Sequence, residues 1–553
     1  MKMHKIKTPV FTLFMLLLIS LGCDDTDFLT EEPQSFYTTD NIFTSGAQLD
    51  QVLISIYQQV RNFSKNDLLM GKGTDFFDAP DFRLSTNFSD YTRINARNGE
   101  INEIFRYYYS NIKNANTVLD PANLQGEFDS EASKNYIIAQ ARFFRAYSHG
   151  MLAELFGGVP IVTELSQEPR FDFVRATRAE TYQFAIDELE AILDDLPETN
   201  PQGGRIVKAC AQHFLSEFYL ALGTETSNDE DFDQAISYAS DVIDSSPYAL
   251  MTQRFGVRVN GENTVTGGAD VYWDLFRNGN TNYSDGNTES IWALQFDYDA
   301  YLNGDGSNVK HFPGDYAPVY RFLTGFTGTG ADAGGRGVAY NAPTPLTEDI
   351  IWEESISAGD QRNAEHNISR IVYYNDPNYP ALLGTQIPQD ILDMDYQGRI
   401  FPIYYKVNTD IYEGLQNGEN RTNIWTDTYA IRLAETILLR AEAYYRKGNS
   451  QMAANDINLI RSRAQCDILA TAGDIDIDYI LDERARELYL EERRWNTLLR
   501  MGGTVATDRI KTYSLHPDIV LSTLSFDFNL WPIPQEAIDR NKDVVLEQNP
   551  GWN

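Results

Sequence analysis

The fold of this chain is indicated by Thr428–Ala464, which reads TYAIRLAETILLRAEAYYRKGNSQMAANDINLIRSRA. Apolar residues recur there at three- and four-residue steps, which is the spacing of one helix face. The pattern is interrupted at Gly448-Asn449 and then resumes, which predicts two antiparallel helices joined by a tight turn. A lone hairpin leaves its apolar face uncovered, so further hairpins must stack on it. Small residues stand where the two helices must approach closely: Ala434, Ala441, Ala443, Ala453 and Ala454.

Three further helix pairs are predicted upstream by the same periodicity. In the third pair, small residues at the helix contact and Pro247 after the second helix resemble a tetratricopeptide repeat. The sequence therefore predicts a mainly α fold of four tetratricopeptide-like hairpins, with a large irregular loop-rich subdomain that contains short strands. The predicted pairs are 41–62 with 101–119, 131–155 with 178–196, 205–223 with 231–244, and 428–447 with 451–464; one more helix is predicted over Ile480–Met501, with Trp495 in the core.

The chain between the third and fourth pairs has a different character, because it is dense in Gly, Asn, Asp, Thr and aromatic residues. Irregular segments of this length inside a domain are usually functional or disordered. Short strands are predicted within it at Ser290–Phe296, Ile371–Tyr374 and Phe401–Lys406. We therefore divide the chain into a signal peptide (1–22), a tether (23–40), an N-terminal helical region (41–247), a loop-rich ligand-binding subdomain (248–427) and a C-terminal helical region (428–553).

The first 22 residues have the features of a signal peptide. Lys2, Lys5 and Lys7 precede an apolar core, Val10–Ile19, that is too short to span a membrane. The core ends in Ser20-Leu21-Gly22-Cys23, which resembles a bacterial lipobox in which Cys23 becomes the lipidated first residue. Several acyl chains on one residue give durable membrane anchoring. The acidic residues that follow resemble an export signal of Bacteroidetes surface lipoproteins, or they form a solvated tether.

Composition excludes one class of partner. The net charge of −35 argues against nucleic acid, because phosphate binding needs a basic face. No later segment has about 20 consecutive apolar residues, so no integral membrane span is predicted. Cys210 and Cys466 are far apart and lie in predicted helices, so we expect buried free thiols.

The sequence carries no catalytic or metal-binding motif. Its six histidines are scattered, and it contains neither a Gly-x-Ser-x-Gly elbow nor a phosphate loop. The acidic run Asp474–Asp478 lacks the Gly and the terminal Glu of a calcium loop, so a solvated turn is expected there. Acidic pairs for glycoside cleavage stay open, because spacing in sequence does not fix spacing in space. We predict a protein that is not an enzyme and has no cofactor and no metal site.

Eight charged residues near the C-terminal apolar stripes form an apparent acid–base cluster. Charges beside an apolar stripe must be paired or hydrogen-bonded, so we interpret the cluster as structural. Its members are Arg432, Glu435, Arg440, Glu442, Arg484, Glu487, Glu491 and Arg494.

Aromatic residues in the loops are the best candidates for a binding site. A sugar ring has apolar C–H faces and a polar rim, so it suits an aromatic platform flanked by Asp, Asn and Arg. Two stretches, Gly71–Asn98 and Tyr272–Arg321, have this mixture. The other interpretation is that these side chains pack the loops themselves. The candidate ligand-binding residues are Phe76, Phe77, Asp78, Tyr91, Asn95 and Arg97 in the first stretch, and Trp273, Tyr283, Tyr301, Tyr316, Tyr320 and Arg321 in the second.

Short motifs in a fixed order carry a family resemblance over nearly the whole chain. They include Cys23 with Phe28-Leu29 and Glu-Glu-Pro, Ala141–Tyr147 (ARFFRAY), Phe156–Pro160 (FGGVP), Pro343-Thr344-Pro345, Asp360-Gln361-Arg362, Arg432–Glu435 (RLAE), Arg440–Ala443 (RAEA), Glu483-Arg484, Arg494-Trp495, Leu530–Pro534 (LWPIP) and Gln548–Gly551 (QNPG). In this order they resemble SusD/RagB proteins, the surface lipoproteins that partner TonB-dependent transporters in Bacteroidetes. Two positions depart from the family pattern: Glu492 stands where Gly is usual, and Thr497 where Asp is frequent.

The resemblance implies a lipid-anchored protein of the outer membrane, facing the exterior, that binds an oligosaccharide and passes it to a SusC-like TonB-dependent transporter. It implies no catalysis. Two alternatives remain: a member of the same family that binds peptide, and a tetratricopeptide-like scaffold that grips a protein partner and binds no small ligand.

Overall fold

Eight helices form four hairpins that pack on one another in chain order. In this computed structural model the described residues are 43–552, except 87, 122, 167, 200–201, 328–334, 395 and 408–421. The predicted signal peptide, Cys23 and the tether lie outside them. The mainly α, tetratricopeptide-like prediction is confirmed. The helices are α1 Gly46–Phe63, α2 Gly99–Leu119, α3 Glu131–Phe156, α4 Arg178–Glu190, α5 Lys208–Thr226, α6 Asp229–Ser240, α7 Leu433–Arg446 and α8 Ser450–Arg463.

The predicted partners pack together: α1 with α2, α3 with α4, α5 with α6, and α7 with α8. Helix α7 also packs on α5 and α6, so the fourth hairpin stacks on the third although the loop-rich segment separates them in sequence. The turn between α7 and α8 passes through Gly448, whose φ of +75° favours glycine. Asn449 then caps α8 by accepting the Met452 amide. The predicted small contact residues Ala434 and Ala453 are completely buried.

The stretch Thr428–Arg432, which we predicted as the start of a helix, is a strand. TYAIR alternates partly and fully buried residues, and its β-branched and aromatic side chains suit a pleated surface. The partner strand Ser290–Leu294, near the position predicted from sequence, supplies the hydrogen bonds that decide the conformation. Within the described residues, six strands pair as three two-stranded antiparallel sheets: β1 Phe77–Asp78 with β3 Ala342–Pro343, β2 Ser290–Leu294 with β6 Thr428–Arg432, and β4 Ile368–Ser369 with β5 Ile403–Tyr404.

The predicted helix Ile480–Met501 is also wrong as one element, because it is broken into α9 (Ile477–Leu488) and α10 (Arg494–Arg500). Leu490 between them has a φ of +61°. The break lets Glu491 and Glu492 both face buried arginines, which a continuous helix would present at angles about 100° apart. Trp495 is completely buried, as predicted.

The strand predicted at Ile371–Tyr374 does not form, and only Tyr373 makes an isolated bridge, to Gln386. The rest of the described chain is irregular or forms short helices. The domain boundaries proposed from the sequence stay a prediction. The remaining α-helices are Asp67–Met70, Val271–Leu275, Tyr298–Leu302, Phe312–Tyr316, Pro345–Glu348, Glu354–Ser357, Gln389–Leu392, Val505–Tyr513, Pro517–Thr523 and Gln535–Arg540.

The predicted charged cluster is a buried ion-pair network that ties the loop-rich segment to the hairpins. Arg432 pairs with Glu289 at 3.2 Å and with Glu487 at 2.6 Å. Glu487 also pairs with Arg463 and, at 3.0 Å, with Arg362. Burial alone would raise the pKa of the Glu487 carboxyl, but the three arginines hold it well below its usual range. The interpretation of these charges as structural is confirmed.

Two other sequence inferences can be compared with the described residues. Cys210 and Cys466 are buried free thiols, as expected. Within the same residues, the helices include none that combines the length and apolar character needed to cross a bilayer.

Candidate functional site

Four candidate residues of the first loop stretch lie in the interior. Phe76, Phe77 and Asp78 are completely buried and Tyr91 nearly so. The Asp78 carboxylate accepts the Ser89 amide at 2.7 Å and the Ser89 hydroxyl at 2.6 Å, among other donors of the loop. These side chains therefore hold the loop together and offer no face to an external molecule.

Three candidates of the second stretch are also interior. Trp273 is completely buried beside arginine side chains, and Tyr316 and Tyr320 are almost completely buried. Their hydroxyls donate to Asp67 and to the Phe401 carbonyl, each at 2.7 Å. The alternative interpretation, that such residues pack the loops, describes these positions.

Tyr283 and Tyr301 are half-buried against other aromatic rings. Tyr283 meets Tyr248 edge-on at 5.2 Å, and Tyr301 packs on Trp425 at 5.4 Å. Each ring therefore has one side occupied by protein.

Asn95 and Arg97 are exposed, but they lie on a different surface from Arg321. The Asn95 side chain bonds its own loop, accepting the Arg97 amide at 2.9 Å. Arg97 borders a polar cavity of about 580 Å³ formed with the C-terminal segment, including Glu536 and Lys542. The structure does not bring the twelve candidates together at one site.

Arg321 belongs to an open surface of alternating rings and guanidinium groups. Arg83 lies over Tyr340, with 4.1 Å between the guanidinium carbon and the ring centroid. Arg399 lies over the Phe82 ring at 3.9 Å and also over the Phe322 ring at 4.6 Å. We call this set the aromatic–arginine surface, and define it by Phe82, Arg83, Arg321, Phe322, Tyr340 and Arg399.

Four separate segments of the chain build this surface. Phe82 and Arg83 lie in the 3₁₀ turn Asp81–Thr86, just after β1. Strand β1 pairs with β3, and Tyr340 lies two residues before β3. The third segment, carrying Arg399, approaches through Gly398, where an added Cβ would lie 3.2 Å from Pro80 Cβ. Because Gly398 also has a φ of +69°, this close approach favours glycine.

Arg321 and Phe322 reach the surface because their neighbour Tyr320 is anchored inside. Arg321 donates to the Gly337 carbonyl, and Arg399 donates to the Val338 carbonyl at 3.1 Å. These backbone contacts fix the direction of the two guanidinium groups. The aromatic groups stay open: 47% of Phe322 and 39% of Tyr340 are exposed.

The surface is electrostatically positive. Partial burial, followed by repulsion from Arg336, lowers the pKa of Arg321. Partial burial, followed by repulsion from Arg321, lowers the pKa of Arg399. Beneath Arg83, burial and the neighbouring Asp67 raise the pKa of Asp315 to about 8. Burial and Asp67 therefore disfavour a negative charge on Asp315, which weakens its ability to balance the arginines.

Such a surface can bind a flat molecule that has apolar faces and polar edges. The rings provide contact area for C–H groups, and the free guanidinium N–H groups donate to hydroxyl, carboxylate or sulfate oxygens. Sequence reasoning named Arg321 and missed the rest. The available signal was the adjacency of aromatic and arginine residues in Phe82-Arg83 and Arg321-Phe322, each inside a loop stretch or at its end.

Two family models match the chain. One, described as the SusD family, matches residues 255–552, and the other, described as "Starch-binding associating with outer membrane", matches residues 27–220. The SusD-like protein P2 of Formosa agariphila is 25% identical, with all of both chains covered. The starch-binding protein SusD of Bacteroides thetaiotaomicron is 26% identical over 77% of this chain and 74% of that protein. A solved SusD homologue from B. thetaiotaomicron shares the fold, with a TM-score of 0.68 and 18% identity over 93% of this chain and 98% of the other.

Proposed function

The chain belongs to the SusD family, and from this premise we propose that it captures an oligosaccharide at the cell surface and delivers it to a TonB-dependent outer-membrane transporter. The observation that carries the proposal is the open aromatic–arginine surface. Its exposed rings can serve as the aromatic platform that the sequence led us to expect, although they belong to other residues than those named from the sequence. The matched model described as starch-binding and the starch-binding relative support a glycan as cargo.

Capture without cleavage is part of the proposal, and the composition of the surface supports it. Glycoside hydrolysis by the usual route needs two carboxyl groups facing the scissile bond. The six side chains that define the aromatic–arginine surface are aromatic or basic. An open surface also suits delivery, because a ligand that is not enclosed can dissociate toward a partner without a large rearrangement of the protein.

Anchoring at the outer membrane is part of the proposal. Cys23 follows the predicted signal peptide, and the N-terminal family model is described as associating with the outer membrane. Mass spectrometry of the protein extracted from membranes should find Cys23 as the acylated first residue. A mature chain without acyl groups, recovered from the periplasm, would refute the anchoring.

Calorimetry with the full-length lipoprotein in detergent tests glycan capture. A panel of neutral, carboxylated and sulfated polysaccharides should give heat with at least one polymer. Tyr340→Ala should weaken that binding about tenfold, because losing one stacked ring costs about 1.4 kcal/mol. Phe171→Ala is the matched control, because Phe171 is also 39% exposed and lies outside the aromatic–arginine surface. If no polymer binds while the purified transporter binds tightly, the scaffold alternative is favoured.

One other feature favours the peptide alternative. A largely apolar cavity of about 530 Å³ is lined by Phe105, Phe171, Ile533 and Leu546, with Arg540 among the lining residues. Such a cavity suits an apolar side chain better than a sugar. Peptide binding that is lost in Phe171→Ala and kept in Tyr340→Ala would replace the glycan proposal.

A further inference from the structure

The aromatic–arginine surface concentrates basic residues on a protein that is otherwise strongly acidic. The chain has 45 Lys and Arg residues against 80 Asp and Glu residues. Nevertheless Arg321 interacts unfavourably with both Arg336 and Arg399. Arg321 and Arg399 both lie over the Phe322 ring, at 5.4 and 4.6 Å, and Arg83 lies over the Tyr340 ring. Like charges held this close cost free energy unless something in the site compensates for them.

Within the described residues, the three guanidinium groups of the surface and that of the neighbouring Arg336 have no carboxylate within ion-pair distance, and Arg83 interacts more weakly with the half-buried Asp315. The buried arginines of the scaffold contrast with this, since Arg432 alone has three glutamate partners. The internal arginines are neutralised by the protein, whereas those of the aromatic–arginine surface are not.

The donors of Arg399 are only partly used. Its Nη2 donates to the Val338 carbonyl, while its Nε is buried without a hydrogen-bond partner. A buried donor without a partner is costly in a native protein. The remaining exposed N–H groups of Arg321 and Arg399 are held in direction by their backbone contacts, and charge-assisted hydrogen bonds from such groups suit the oxygens of a carboxylate or a sulfate.

We infer that the aromatic–arginine surface takes an anionic glycan, one that carries sulfate or carboxylate groups. The inference rests on the proposed function, and it deepens that proposal by naming the chemical class of the cargo. The rings of Phe82, Phe322 and Tyr340 contact the C–H faces of the sugar, while the guanidinium groups pair with its charged substituents. Because the overall charge of −35 repels a polyanion, binding must come from this local set.

Matched polymers separate this inference from the proposed function. We compare dextran with dextran sulfate, and fully methyl-esterified polygalacturonate with polygalacturonate, by calorimetry on the full-length lipoprotein in neutral detergent. The charged member of at least one pair should bind at least tenfold more tightly than its neutral parent. Its affinity should fall at least tenfold between 50 and 500 mM NaCl, because the charges are partly exposed. The two pairs distinguish sulfate from carboxylate recognition.

Variants then assign the binding to this surface. The double variant Arg321→Gln/Arg399→Gln should lose at least tenfold in affinity for the charged polymer. Arg97→Gln removes an exposed arginine from a different surface and should keep it. Thermal unfolding of each variant checks that the fold is intact.

Each result has one meaning. Equal or tighter binding of a neutral parent, or full retention of affinity in the double variant, overturns the anionic-glycan inference and leaves glycan capture standing. Equal losses in the double variant and in Arg97→Gln indicate diffuse charge attraction and also overturn it. If no member of either pair binds and no polymer of the wider polysaccharide panel gives measurable heat, the proposed function itself fails.

Discussion

Asp75→Ala tests whether the first loop is held by the scaffold through a buried carboxylate. Asp75 is completely buried. Its Oδ1 accepts Arg494 Nε at 2.8 Å, and its Oδ2 accepts Arg494 Nη2 at 2.6 Å and Arg509 Nε at 2.8 Å. The residue joins the loop that leads to the aromatic–arginine surface to elements more than 400 positions further along the chain.

The size of the effect follows from removing one partner of a buried charge cluster. Burial alone would raise the pKa of Asp75, but Arg494 and Arg509 hold it well below its usual range. Breaking such a pair costs about 3–5 kcal/mol, because guanidinium groups are left buried and only partly compensated. An unfolding entropy of about 2.1 cal/mol/K per residue gives roughly 1 kcal/mol/K for a chain of this length, so Tm should fall by about 3–5 °C.

Differential scanning calorimetry at pH 7 measures this shift. Asp81→Ala is the control, because Asp81 lies in the same loop with 61% of its side chain exposed, and its Tm should change by less than about 1 °C. The folded-state pKa of Asp75 is depressed, so its stabilisation is complete above the unfolded pKa of about 3.9 and is lost as pH falls below that value. The difference between wild type and variant should therefore shrink in acid. An Asp75→Ala protein that melts like wild type at pH 7 would refute the reasoning, and so would one that loses glycan binding with an unchanged Tm.

Three other predictions are each measured by scanning calorimetry, two on single residues and one on a pair. Asp315→Asn should stabilise the protein by about 2–4 kcal/mol at pH 7 and hardly at pH 4. The pKa of Asp315 is raised in the folded state, so wild-type stability is highest below the unfolded pKa of about 3.9 and is lost as pH rises through about 8. A gain in stability that does not depend on pH would contradict this reasoning. Tyr429→Phe should lower the free energy of unfolding by about 1–3 kcal/mol, because the buried Leu275 carbonyl loses the 2.6 Å hydrogen bond that the Tyr429 hydroxyl donates. An unchanged Tm would show that this bond makes no net contribution to stability. Glu492→Ala should destabilise the protein by about 3–5 kcal/mol and Thr497→Ala by about 1–2 kcal/mol. The two losses should not add in the double variant, because Thr497 donates a 2.7 Å hydrogen bond to Glu492. Additive losses would show that the two residues are not coupled.

The last pair also explains the two departures from the family pattern. Glu492 and Thr497 are both buried and bond each other, and Glu492 in addition pairs with Arg484 at 2.5 Å and Arg494 at 3.1 Å. Two unusual residues that were unrelated in sequence reasoning therefore form one structural unit. Only their proximity across the break between α9 and α10 reveals the relation.

The sequence by itself determined the helical hairpins, their partners and the structural role of the buried charges. Helix periodicity is a local property, so each amphipathic segment shows which face it buries without knowledge of its partner. Charged residues on such a buried face must be paired, and this constraint is also readable from the chain. The helix start predicted at Thr428 was wrong because a distant strand outweighed the local pattern of Thr428–Arg432.

Tertiary structure alone decided which loop residues face outward. Short elements and irregular segments have too little period to show a buried face, so Trp273 and Tyr340 both occur in the loop-rich segment although one is completely buried and the other is 39% exposed. Their burial depends on segments that arrive from elsewhere in the chain, such as the approach of Gly398 to Pro80. The aromatic–arginine surface forms only where four separate segments of the chain come together, and no single stretch of sequence shows that they do.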